Sequence, residues 1–188
     1  RSDYLRGFGY QGGAGRPNWD RPAPGFGAER KAALSQPGPW LVRLGGFGEM
    51  LPNPKNRMTL NHAVKDSHGL PTITFDVGLG DNERAMRKDM KAAAAEMLEA
   101  AGFKSVRELD GDYGPGLGIH EMGTARMGRD PKTSVLNAHN QVHACPNVFV
   151  TDGAAMASSS GVNPSLTYMA LTARAAAFGV DAGKKGDL

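Results

Sequence analysis

His120, the pair Asp152-Gly153 and the run Asn163-Pro164-Ser165 are the residues whose types and setting suit chemistry. His120 stands in Gly-Ile-His-Glu-Met-Gly-Thr-Ala-Arg-Met-Gly, residues 118–128. Glycines at that density let backbone approach a bound molecule closely, and an imidazole held there suits general-base work on a hydroxyl. A lone histidine is otherwise an ordinary structural or surface residue, and an unperturbed pKa near ~6.5 decides nothing. Asp152-Gly153 follows Val148-Phe149-Val150-Thr151, which reads as a buried strand delivering its C-terminal end to a site. The Gly153 N–H can meet a phosphate and the Asp152 carboxylate can accept from sugar hydroxyls. The same pair equally makes an ordinary turn. Asn163 at N-cap with Pro164 at N1 explains the start of a helix. The positive end of that helix, with its unpaired N–H groups, can also stabilise an anion. The two roles are compatible at Asn163.

Other chemistries find less support. His139, His143 and Cys145 lie close together, but no second ligand pair stands at finger spacing, so no metal site is expected. Ser158-Ser159-Ser160-Gly161 is not the Gly-x-Ser-x-Gly of a nucleophile elbow,. The net charge of +3 comes without a basic block, and the few Arg-Gly pairs near the start do not make a nucleic-acid surface. One cysteine excludes an internal disulfide framework,. No apolar run approaches the ~20 residues of a membrane span. The chain begins at Arg1 rather than Met, so the lack of a signal peptide carries little weight.

The elements that must position these residues follow from pattern. Residues 1–39 show neither a period of ~2 nor of ~3.6 and read as a Gly/Pro-rich loop. From Pro39 to Val77 the signals are strands: Trp-Leu-Val-Arg-Leu, then Arg-Met-Thr-Leu, then Ile-Thr-Phe-Asp-Val with Ile73, Phe75 and Val77 on one face,. Turns at 51–56 and 68–71 join them, predicting an antiparallel sheet with one face covered. Asp81–Ala101 reads as a helix capped by Asp81 or Asn82, with Glu83 in its first turn and Gly102 as C′ residue,. Met86, Met90, Ala93, Met97 and Ala101 give it one apolar stripe to pack on that sheet. Residues 103–119 return to loop. In the last helix Leu166, Met169 or Ala170, Ala173, Ala177 and Val180 line one face,.

Three stretches together closely resemble the C-terminal region of the glucose-methanol-choline flavoprotein oxidoreductases. They are His-Glu-Met-Gly-Thr-Ala-Arg-Met-Gly, Pro-Asn-Val-Phe-Val-Thr-Asp-Gly and Ser-Gly-Val-Asn-Pro-Ser-Leu-Thr-Tyr-Met-Ala-Leu-Thr-Ala-Arg-Ala-Ala. Within that family the likeness is greatest to bacterial sugar and gluconate dehydrogenase flavoprotein subunits and to pyranose oxidases, and Phe47 to Val77 resembles their substrate domain. The resemblance implies FAD as cofactor and a sugar, sugar acid or other alcohol as substrate. It implies that His120 takes the alcohol proton while hydride passes from carbon to flavin N5, and that Asn163 positions the substrate oxygen. Asp152 and Gly153 would contact the pyrophosphate and ribityl part of FAD. The backbone of Asn163, Pro164 and Ser165 would lie by the flavin N1–C2 edge, where a positive helix end favours the anionic reduced ring.

The family opens with a strand and Gly-x-Gly-x-x-Gly for the ADP half of FAD, and Gly-Tyr-Gln-Gly-Gly-Ala-Gly at 9–15 neither follows a strand nor precedes a helix,. The resemblance therefore implies the C-terminal part of a longer enzyme, whose N-terminal FAD-binding part is its partner. Alone the chain is expected to bind FAD weakly or not at all and to leave apolar faces uncovered. The expected fold is α+β: an antiparallel substrate-domain sheet with a packed helix over 40–118 (helix at 82–101), then the active-site segment and the last strand and helix of a Rossmann-like FAD domain over 119–188. Likeness to the dehydrogenases points to a quinone or cytochrome acceptor and to a periplasmic or membrane-associated setting, with a cytoplasmic one left open. The alternative is a flavin-free interaction or structural module of the same fold, against which the presence of both His120 and Asn163 argues.

Overall fold

The structure, a computed structural model, describes residues 2–16, 23–111, 114–159 and 161–188. In chain order its elements are β1 (Phe8–Gly15), α1 (Gly27–Ser35), β2 (Leu41–Gly48), β3 (Arg57–Lys65), β4 (Pro71–Asp76), α2 (Asp81–Ala100), β5 (Gln141–Val142), β6 (Cys145–Phe149), a short 3-10 turn (Gly153–Ala155) and α3 (Ser165–Lys185). The strands form three separate two-stranded sheets, β1-β2, β3-β4 and β5-β6, all antiparallel. The fold is thus α+β with small antiparallel sheets, and the single covered sheet expected over 39–77 is replaced by strands in two separate two-stranded sheets, β2 with β1 and β3 with β4. The chain divides into two compact units. One holds the residues up to Leu5, Glu49–Ala85 and Asp110–Leu188, and the other holds Arg6–Gly48 and Met86–Leu109.

The second unit corrects the reading of residues 1–39 as loop, since β1 and α1 both lie there; of that stretch, Arg1 and residues 17–22 fall outside the described residues. β1 is the Gly-rich run itself. Its glycines hide the alternation that marks a strand, but they complement β2 across the ladder: Phe8 faces Gly48, Tyr10 faces Gly46 and Gly9 faces Phe47. α1 is built from strong helix formers, Ala-Glu-Arg-Lys-Ala-Ala-Leu,, but only Leu34 of it is buried, so it carries no apolar stripe to read. α2 packs its methionines on the bare backbone of β2. A Cβ at Gly46 would stand 2.0 Å from the Met90 sulfur and one at Gly48 would stand 2.5 Å from the Met86 sulfur. The Tyr10 hydroxyl donates to the Met90 carbonyl at 2.6 Å. Met86 and Met90 are core residues, whereas Met97 is 44% exposed; the stripe is buried over its first half only. Gly102, at φ 88°, is the C′ residue as expected. The Phe103 N–H reaches the Leu98 carbonyl and the Gly102 N–H that of Glu99, a Schellman end.

In the first unit β3 and β4 pair with Met58 opposite Phe75 and Leu60 opposite Ile73, so the predicted alternation sets these residues on one face. That face is uncovered: all four are about half exposed or more. Asp66 shapes the tip by accepting from the N–H groups of His68 and Leu70, and Gly69 takes φ 80° there. Asn56 closes the base through two bonds with Gly78. α3 also departs from expectation. Leu166, Met169 and Val180 are exposed, and the line turned inward is Tyr168, Leu171, Ala175, Phe178 and Ala182. In an Ala-rich helix both lines look apolar, and only packing chooses between them. Among the described residues no helix is long and apolar enough to cross a membrane.

The start of α2 is capped differently from the sequence expectation. The Gly80 carbonyl accepts the first helical bond, from the Arg84 N–H, and Glu83 reaches back to the Gly80 N–H at 2.7 Å, one half of a capping box. Asn82 instead exchanges bonds with the backbone of Leu5. Glu83 is only 8% exposed and also accepts from the Leu51 N–H at 3.0 Å. Burial pushes its carboxyl up, but the bonds from Leu51, Gly80, its own amide and the Asn82 side chain outweigh this and hold it below its ordinary value of 4.5. A depressed folded value means that Glu83 stabilises the fold above about pH 4.5 and that the contribution fades as pH falls through the folded value. Glu83→Ala should cost about 1–3 kcal/mol near neutral pH by stranding the Leu51 and Gly80 donors. In thermal melts the gap to wild type should narrow below the unfolded carboxyl range, and a pH-independent gap would refute the charge-assisted cap.

Candidate active site

Three stretches of the first unit meet at Gly153. Each is placed by backbone, which is why glycine and short side chains dominate them. The stretch after His120 lies along the 3-10 turn through a ladder of bonds: Gly123 N–H to Gly153 O at 3.3 Å, Ala125 N–H to Ala154 O at 2.9 Å and Met127 N–H to Ala155 O at 2.9 Å. Gly123 turns the chain into this ladder at φ 85°. The ladder therefore ties the His120 loop to the Asp152-Gly153 pair, two motifs that the sequence reading held apart.

Gly153 is buried, and a Cβ there would lie 2.8 Å from the Tyr168 hydroxyl, 3.0 Å from the Glu121 carbonyl and 3.2 Å from the Met122 sulfur. Tyr168 comes from the first turn of α3, where its N–H bonds the Pro164 carbonyl, and its hydroxyl donates to the Met122 sulfur at 3.6 Å. Burial, followed by the charges of Asp152 and Glu121, holds the Tyr168 phenol above its ordinary value of 10.0. It is therefore a neutral donor throughout the physiological range. Tyr168, Glu121 and Met122 had not been singled out in the sequence. The signal available was position alone, next to His120 and one turn past Asn163.

The remaining site residues have these places. His120 is half-buried. It follows Ile119, a β-branched residue at φ 57°, where such a side chain is strained. The Glu121 carboxylate accepts from the Gly118 N–H at 3.1 Å and closes the loop around the histidine. Asp152 is exposed, and one carboxylate oxygen accepts from the Ala154 N–H at 2.9 Å, which leaves further lone pairs facing out. The apolar run before it is not the buried strand expected: β6 ends at Phe149, pairs among the described residues only with β5, and leaves Val148 43% exposed. What holds this turn is Asn140, fully buried at φ 62°. Its amide donates to the Val150 carbonyl at 3.0 Å, and its side-chain oxygen accepts from Arg174 of α3 at 3.1 Å. Asn163 is not the N-cap. Pro164 takes that position at φ −91°, ψ 8°, and Ser165 begins the helix. Pro164 makes no side-chain cap bond, so among the described residues the first amides of α3 lack a capping side chain beside an exposed Asn163.

The metal-like trio is spread over separate contacts. His139 stacks on Phe178 with centroids 4.0 Å apart, His143 pairs with the Ser134 hydroxyl at 3.1 Å, and the Cys145 thiol meets Asn147 at 3.2 Å. Ser160 of the serine run, and residues 112–113 of the loop before the site, lie outside the described residues.

The profile of the family described as GMC oxidoreductase matches residues 52–172, a span that includes His120, Asp152, Gly153, Asn163 and Tyr168. The 2-methyl-1,2-propanediol dehydrogenase of Mycolicibacterium austroafricanum is 37% identical over 129 residues, 69% of this chain and 23% of that protein. The fructose dehydrogenase large subunit of Gluconobacter japonicus is 34% identical over 130 residues, 68% of this chain and 23% of that protein. The gluconate 2-dehydrogenase flavoprotein of Pantoea cypripedii is 30% identical over 166 residues, 84% of this chain and 26% of that protein. The chain thus spans between 23% and 26% of the length of these curated relatives.

Crowding at Gly153 gives a direct test of the site's packing. Gly153→Ala should lower stability by about 1–3 kcal/mol, as overpacking does, because the Glu121 carbonyl is backbone and cannot swing aside. An unchanged melting temperature would show that the three stretches are not pressed together there.

Proposed function

The chain belongs to the GMC oxidoreductase family, and on that premise we propose that it is the C-terminal part of an FAD-dependent enzyme oxidising the CH–OH group of a sugar, a sugar acid or another alcohol. The observation that supports this most is the convergence at Gly153, which puts the loop of His120, the Asp152-Gly153 turn and the opening of α3 in one place.

The residues present fit the cofactor. Tyr168, Glu121 and Met122 occupy the place of a Cβ at Gly153, and a backbone without a side chain is what a close approach to a phosphate requires. Asp152 keeps free lone pairs for ribityl hydroxyls, and the open amides of Ser165 and its successors present the positive end of α3 to a polar ring edge. FAD, when bound, supplies the hydride acceptor. This chain's residues supply the rest. The His120 imidazole takes the proton from the substrate hydroxyl, and the Asn163 side chain holds the same oxygen in place, so that proton removal raises the hydride-donor strength of the carbon. Withdrawal of the proton to one side and orientation by a neutral amide on the other need no metal ligand set. The N-terminal FAD-binding part of the longer protein would close the site, and a quinone or cytochrome would accept the electrons.

In the full-length enzyme, His120→Ala should cut turnover by about 10²–10⁴-fold, the range for a lost general base, while the flavin absorbance spectrum persists. Wild-type turnover in that variant would sink the role of His120. A full-length protein that purifies without flavin absorbance, and takes up none when FAD is added, would favour the non-catalytic module instead.

A further inference from the structure

We propose that Tyr168 is a positioning residue for His120: its hydroxyl, seated on Met122 and Gly153, fixes where the loop bearing the histidine stands against the start of α3. This inference rests on the reading of His120 as the base.

A general base is ordinarily oriented by a third group bonded to it. Among the described residues none makes a hydrogen bond to the His120 ring, so its direction depends on how its loop is held. The loop has two anchors. On the N-terminal side the Glu121 carboxylate ties back to the Gly118 N–H at 3.1 Å, across the strained Ile119 at φ 57°. On the C-terminal side Met122 sits against the Tyr168 hydroxyl at 3.6 Å, and Gly123 then enters the ladder on Gly153. Tyr168 ties Met122 to the first turn of α3, while Arg174, farther along α3, reaches only the far end of the ladder at the Met127 sulfur; α3 opens two residues after Asn163, the other residue assigned to the substrate oxygen. The phenol thus sets the spacing of the two groups that must grip one hydroxyl. Sulfur is a weak acceptor, so the contact acts as a spacer as much as a bond: the hydroxyl fills the space that Gly153 leaves. Burial and the neighbouring carboxylates of Asp152 and Glu121 keep the phenol protonated, so the spacer holds one form across the working pH range.

The test is a double-mutant cycle in the full-length flavoenzyme, with its best alcohol donor and a dye acceptor. Tyr168→Phe should lower kcat about tenfold, since misplacement of a catalytic group by an ångström costs up to about 10²-fold. KM, flavin absorbance and melting temperature should hold. Met122→Leu, close in volume and lacking the sulfur, should lower kcat in the same direction, which guards against a Tyr168 variant that folds poorly. In the His120→Ala background Tyr168→Phe should have no further effect, because the two residues act as one. Equal losses in both backgrounds, or a loss that follows a lowered melting temperature, would make Tyr168 merely structural and overturn the proposal, as would wild-type kcat in both Tyr168→Phe and Met122→Leu. If His120→Ala itself keeps its turnover, the base reading fails, and positioning fails with it. If His120→Ala is crippled and Tyr168→Phe is normal, positioning alone fails.

Discussion

Around Gly153 a carbonyl oxygen, a thioether and a phenol occupy the space that a Cβ would take. The site depends on this crowding. The His120 loop has no regular structure of its own, and the N–H groups of Gly123, Ala125 and Met127 are satisfied because the 3-10 turn offers three carbonyls in register. That register requires the turn to lie close, and it can lie close only where a side chain is missing. The turn is held from behind by Asn140, whose four-way bonding to Val150, Asn137 and Arg174 satisfies a fully buried amide, as buried polar groups require. Site geometry here comes from backbone pairing and one buried amide rather than from a large apolar core.

The other unit uses the same device for a different end. Gly46 and Gly48 leave β2 bare, and Met90 and Met86 sink into the gaps. Flexible thioethers suit such irregular seats. Two residue types read alone as weak, glycine in a strand and methionine in a helix, thereby make close helix-to-strand packing in that unit.

Much of the organisation was legible, and its limits have physical causes. The alternation of Met58, Leu60, Ile73 and Phe75 fixed a shared face because strands repeat every ~2 residues, but it could not say whether anything covers that face. The run Asp81–Ala101 showed a helix because an apolar stripe and Gly102 agree, while the cap moved to Gly80 because Glu83 prefers the amide that precedes the helix. β1 stayed hidden because its pattern is complementary to β2 some thirty residues on, not periodic in itself. The inward line of α3 was misread because alanine is apolar on every face. At the site, residue types and glycine density singled out His120, Asp152 and Asn163, all of which lie within the span matched by the family. Tyr168 and Asn140 were not legible, since each gains its meaning from a partner on a distant segment.

The seating of the methionines has a chemical consequence. Conversion of a thioether to a sulfoxide adds an oxygen and a strong dipole. Met86 and Met90 rest where even a methyl group on the facing strand would not fit, so the closed packing both shields them from peroxide and cannot accommodate the product. Met97, 44% exposed on the same helix, has neither protection nor such a constraint. Oxidative ageing of α2 would therefore begin at Met97 without harm, and any sulfoxide at Met86 or Met90 would mark molecules in which α2 had already lifted from β2.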